Sequence, residues 1–289
     1  MSRMLLALFL FLAANETDAQ TVPESTIPLQ SPIDQAFHRM YNFDFAGAHA
    51  ILDEEIRDHP DAPLGHSVRA ALLLFSEFDR LKILETDFFS NDDQVTDKKK
   101  LKPEPAVRTH IFAETAEARK WASARLAVDP QDRDGLLAMS MAVGVETDYT
   151  SLVEKKYFRS YSLSKENLKY AQKLLALKPP VIDAYLTLGS VEYAVGSLNF
   201  FFRMFIRFDK IQGNKQKGIE NLMKVVEGGR YYPPFAKILL SVIYLRENNL
   251  PQSLALMKEV ERDFPENPLF RKEVARISER IRQTKKKAL

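Results

Sequence analysis

Residues 179–196 read PPVIDAYLTLGSVEYAVG. Proline cannot continue a helical ladder, and it disfavours helical geometry at the residue before it. Pro179 therefore ends one helix, and six residues later a second begins: Tyr185, Leu186, Leu188, Gly189, Tyr193, then a turn at Gly196. Three more prolines stand in similar contexts, Arg57-Asp58-His59-Pro60, Ala127-Val128-Asp129-Pro130 and Arg262-Asp263-Phe264-Pro265, against Ala176-Leu177-Lys178-Pro179. Aligned on the four prolines, the residues twelve positions earlier are Ala48, Ala118, Asn167 and Ser253, all small or short. Nine positions earlier stand Ile51, Trp121, Tyr170 and Leu256, and eight earlier Leu52, Ala122, Ala171 and Met257. Small side chains let a paired helix approach, and large ones fill the space behind them.

Outward from these punctuation points, almost everything after Ile33 has helical period. Ala36, Phe37, Met40 and Tyr41 share one face, and Ala48, Ile51, Leu52 and Ile56 continue the pattern after a short break. Alternating strings bounded by Asn-Gly or Asp-Gly turns are absent, and Asp134-Gly135 lies inside a helical pattern. The expected fold class is all-α.

The run from Tyr185 to Gly196 resembles the tetratricopeptide repeat. The last unit follows the same register through Leu240, Ser241, Tyr244, Leu245, the Asn248-Asn249 turn, Leu250, Ser253 and Pro265. The first unit matches in its second half, Phe43 to Ala48, ending at Pro60. The resemblance spans Ile33 to Pro268 and implies a right-handed superhelical solenoid of about five helical hairpins. A capping helix from about Leu269 to Thr284 follows, with Arg276, Glu279, Arg280 and Arg282 outward. It further implies a groove formed by the first helix of each pair. The groove positions are Phe37, Met40, Tyr41, Leu137, Met141, Leu186, Ser190, Tyr193, Ile238, Val242, Leu245 and Arg246. This set is mostly apolar and lacks the Lys/Arg/Asn clamp used for C-terminal carboxylates. It would accept an amphipathic helix or be filled by the chain's own insertions.

The proline separations of 70, 49 and 86 residues mark departures from a regular array. The expected organisation is a signal peptide over 1–19, a disordered leader over 20–31, the solenoid over 32–284 and a basic tail over 285–289. The solenoid carries a charged insertion at 90–105 (SNDDQVTDKKKLKPEP) and an aromatic insertion at 200–214. The first segment carries Arg3, an unbroken apolar run from Met4 to Ala14, and Thr17-Asp18-Ala19 with small residues at the cleavage positions. Eleven helical residues span only about 16 Å, half a bilayer core, so cleavage after Ala19 and export to a bacterial periplasm are expected. An uncleaved anchor or a buried helix is the alternative.

The 289 residues hold 41 Lys+Arg, 39 Asp+Glu and no Cys. Without Cys there is no disulfide, thiolate nucleophile, zinc ribbon or iron–sulfur cluster. Near-neutral charge gives no reason to expect nucleic acid as partner. The five His form no HxxxH or HExxH pair, and no GxSxG, GxxxxGK[ST] or GxGxxG is present, so no catalytic, cofactor or metal site is expected. The basic clusters Lys98–Lys102 and Lys285–Lys287 read as solubilising, or as weak attachments to anionic lipid or another acidic surface. Between Phe200 and Phe208 there are five Phe in nine residues, with Phe201, Phe205 and Phe208 on one face and Arg203 and Arg207 on a narrow polar strip. Three readings fit this segment: aromatics packed into the solenoid, a peripheral membrane patch, or a dock for a partner or apolar ligand. The overall expectation is a non-enzymatic scaffold that binds a protein or peptide partner through its groove.

Overall fold

The computed structural model describes residues 30–86, 88, 101–198 and 211–288. Within them lie eleven α-helices and no strand, so the chain is all-α. In order they are α1 (Pro32–Tyr41), α2 (Phe45–Asp58), α3 (Pro63–Arg80), α4 (Pro105–Val128), α5 (Arg133–Asp148), α6 (Tyr157–Ala176), α7 (Tyr185–Ser197), α8 (Lys215–Gly228), α9 (Pro233–Arg246), α10 (Leu250–Asp263) and α11 (Pro268–Ala288). Residues 1–29, 90–100 of the charged insertion and 200–210 of the aromatic one lie outside the described residues.

Local chemistry sets the boundaries. Ser31 and Asp34 form a reciprocal capping box at the start of α1, and Asp44, Asp132, Asn214 and Asn249 each accept a backbone N–H at the start of α2, α5, α8 and α10. Helices α2, α4, α6 and α10 stop two or three residues before Pro60, Pro130, Pro179 and Pro265. Helix α5 runs into a π-helical turn, Tyr149–Val153, which delays the start of α6 to Tyr157.

Consecutive helices pack in pairs, α1 with α2, α3 with α4, α5 with α6, α7 with α8 and α9 with α10, and each pair packs on the next. The small residues of the proline alignment are the contact points. Ala48, Ala118, Asn167 and Ser253 are buried, as are Leu52, Ala122, Ala171 and Met257 eight positions before the prolines. Ser140 of α5 donates to the side-chain amide oxygen of Asn167 at 2.7 Å, and Ser241 of α9 bonds Ser253 at 2.8 Å. Helix α8 joins the series with Gly218, twelve residues before Arg230, packed against the backbone of α7 at Gly189 and Tyr193.

The two ends of the series touch, where the repeat resemblance implies a free polar cap. Glu273 of α11 is buried and accepts a hydrogen bond from Thr86, while Lys272 pairs with Glu85 at 2.8 Å, so α11 packs on the segment after α3 as well as on α10. Helix α11 continues to Ala288, so Lys285–Lys287 form its last turn rather than a separate tail. At the other end, Ser31 is the N-cap of α1 and part of the fold, not of a disordered leader.

Candidate interaction surfaces

Helix α1 sits in the middle of the largest core cluster, which draws on residues from Ile33 to Ile277. The ring of Phe37 stacks on Tyr231 at 5.0 Å and meets Tyr232 edge-on at 6.1 Å. Tyr41 meets Phe264 at 5.3 Å and Phe75 at 6.1 Å, and Phe75 meets Phe235 at 5.5 Å. Aromatic side chains from α1, α3, α9 and the end of α10 thus share one interior.

Polar latches hold α1 in place. Arg230, in the turn between α8 and α9, grips Asp34 with two N–H···O bonds of 3.1 and 3.0 Å. Burial raises the Asp34 carboxyl, but the Arg230 guanidinium and Ser31 outweigh it and hold the group below the usual carboxylate range. The same turn is fixed from inside by Asp183, which accepts the backbone N–H groups of Arg230, Tyr231 and Tyr232 at 2.8, 2.9 and 2.8 Å. Burial still pushes its pKa up. The Tyr41 hydroxyl donates to the Tyr231 carbonyl at 3.1 Å, and Asn267 donates to the Tyr41 carbonyl at 2.8 Å.

This arrangement corrects the groove expected from the repeat resemblance. Phe37, Met40 and Tyr41 are each only 1% exposed, and Leu137, Met141, Tyr193 and Leu245 are buried as well. Leu186, Ser190, Ile238 and Val242 are half-buried, and Arg246 alone is exposed. An inner helix face needs a cover, and for α1 the rings of Tyr231, Tyr232 and Phe264 supply it. A cavity beside Tyr41, Phe75, Phe235 and Glu273 is about 20 Å³, room for a single water. Phe201, Arg203, Phe205 and Phe208 lie outside the described residues.

The latch residues Asp34, Asp183 and Arg230 escaped sequence reasoning. Asp34 and Arg230 are 196 positions apart, and the only local signal is the Ser31–Asp34 capping box, which reports a helix start. Also unforeseen is Asp148, the last residue of α5. Its carboxyl has no hydrogen-bond partner among the described residues, and burial pushes its pKa up to about 7. Its charge adds to burial and Asp183 in raising the Tyr232 phenol.

Outside, the pairs are laced by ion pairs. Arg119 of α4 reaches Glu166 at 2.8 Å, Arg125 reaches Asp132 at 2.8 Å, and Lys120 reaches Glu117 at 2.8 Å. Such exposed pairs contribute about 0–1 kcal/mol each. His66 lies between α3 and α4, 2.7 Å from Glu114 and 3.3 Å from the Pro60 carbonyl. Among the described residues no three His, Cys, Asp or Glu are grouped to hold a metal, and no helix is long and apolar enough to cross a membrane. No family model, no curated protein and no solved structure matches the chain.

Proposed function

We propose that the chain is a non-enzymatic scaffold of the tetratricopeptide-like solenoid kind, exported to the bacterial cell envelope, where it binds a protein or peptide partner. The observation that carries this reading is the buried small residue twelve positions before each inter-pair turn, Ala48, Ala118, Asn167, Gly218 and Ser253, present in all five second helices. Stacked pairs of this kind present an extended, rigid surface, which is what repeat proteins use for binding. The interior is self-filled, so this reading assigns docking to the inner edge, at half-buried Leu186 and Ile238 and exposed Arg246.

The test places a photo-crosslinking amino acid at Leu186, Ile238 or Arg246, with Phe37 as the buried control, in cells that export the protein. A discrete crosslinked partner at any of the three, and none from Phe37, supports the reading. An exported, folded protein that crosslinks nothing from all three positions overturns it. Recovery in the periplasmic fraction with an N-terminus at Gln20 is the expected location.

A further inference from the structure

We propose that the outer face of α6 seats the protein on a membrane surface rich in anionic headgroups. Helix α6 buries Ser160, Leu163, Asn167, Leu168, Ala171 and Leu174. Phe158, Lys165, Lys169 and Lys173 stand at i, i+7, i+11 and i+15, and at 3.6 residues per turn they form a stripe about 80° wide, directly opposite that buried face. The stripe is straight and about 22 Å long at 1.5 Å per residue, a shape suited to a flat surface.

Two features separate this face from an ordinary solvated one. The cations of neighbouring α4 are matched by acids, whereas Arg159, Lys165, Lys169 and Lys173 have no ion pair among the described residues. The single acid of the helix, Glu166, is already held by Arg119 at 2.8 Å. Lys165 and Lys173 instead lie over the rings of Tyr161 and Tyr170, each at 5.8 Å. The second feature is Phe158, 94% exposed, with Tyr157 beside it at 47%. An acidic protein surface would pair the lysines and leave the Phe158 ring in water. A bilayer satisfies both, with lipid phosphates at the ammonium groups and the ring at the headgroup–acyl boundary.

The full-length mature chain is sedimented with phosphatidylcholine vesicles, with and without about 30% phosphatidylglycerol, at about 50 mM and about 500 mM salt. Co-sedimentation only with the anionic vesicles at low salt is expected. At about five-fold per lysine, Lys165→Gln/Lys169→Gln/Lys173→Gln weakens it roughly hundred-fold. Phe158→Ser weakens it about ten-fold with an unchanged salt slope. All four positions lie on the outer face, so circular dichroism and Tm stay as in the parent. The proposal is overturned if the parent stays in the supernatant with anionic vesicles, or if both variants still pellet like the parent, which places the contact elsewhere, as on residues 199–210. It is equally overturned if Phe158→Ser is neutral and polyaspartate competes fully, which reduces the face to a charge reader. The crosslinks from Leu186, Ile238 and Arg246 report on the scaffold reading independently of these outcomes.

Discussion

Helices α7 and α8 meet backbone to backbone, and one methyl group should measure how tightly. A Cβ on Gly218 would stand 2.7 Å from the Tyr193 nitrogen, 2.8 Å from its Cβ and 2.9 Å from the Gly189 carbonyl oxygen. None of these atoms can rotate away, and ordinary contact begins at 3.4 Å, so the helices must part by half an ångström or more. Overpacking costs about 1–3 kcal/mol, and against backbone atoms that cannot yield it falls in the upper part of that range, about 2–3 kcal/mol. Alanine also recovers about 1 kcal/mol of helix propensity over glycine, which leaves Gly218→Ala destabilised by about 1–2 kcal/mol. Gly144 in α5 is the control, because its Cβ would meet only the end of the Asn167 side chain, at 3.3 Å. Gly144→Ala is therefore expected between neutral and about 1 kcal/mol more stable. Urea denaturation separates the two. With m near 3 kcal/mol/M and unchanged, the Gly218→Ala midpoint falls by about 0.3–0.7 M while that of Gly144→Ala holds or rises. A Gly218→Ala midpoint at or above that of the parent, or equal falls in both variants, would refute the close-approach argument.

Three further outcomes are expected. Arg230→Ala leaves the Asp34 carboxylate buried and unpaired and costs about 3 kcal/mol, and Arg230→Lys recovers only part because it cannot grip both oxygens; equal stability of the Lys variant and the parent would argue against the bidentate latch. Asp148→Asn should stabilise: the folded pKa is raised to about 7, so the penalty in the parent appears as pH rises above the unfolded value near 3.9 and is complete above 7. The gain is on the order of 4 kcal/mol at pH 8 and nearly absent at pH 4, and denaturation midpoints that differ equally at both pH values would contradict it. His66 is raised by its bond to Glu114, so its contribution is full below the unfolded value near 6.5 and is lost as pH rises through the folded one; the stability gap between the parent and His66→Gln should narrow between pH 6 and 9.

The all-α class was legible because prolines and 3.6-residue periodicity are local signals. The ends of α2, α4, α6 and α10 follow Pro60, Pro130, Pro179 and Pro265 for that reason. The residues twelve and eight positions before those prolines are buried because they sit where paired helices touch. The site was not legible. Periodicity identifies Phe37, Met40 and Tyr41 as one apolar face, yet it cannot say what covers that face. The repeat resemblance left it lining a groove, while the fold covers it with Tyr231, Tyr232 and Phe264 from about two hundred residues away. Arg230 was invisible for the same reason, since a lone arginine in a Gly-Gly turn acquires its role only from Asp34. The lysine stripe of α6 was written in the sequence throughout, but its lack of acid partners is a fact about neighbouring helices.

The contact between the two ends also sets how the molecule can change over evolutionary time. An open row of helix pairs grows by duplicating one pair, since each added unit meets only its neighbours. Here Asp34 of the first pair meets Arg230 at the start of the fifth, and Glu273 of the last helix meets Thr86 in the second. An inserted pair would pull those partners apart and uncover the face of α1. The number of pairs is therefore a fixed dimension of this protein, and new length is tolerated only where loops already bulge from it.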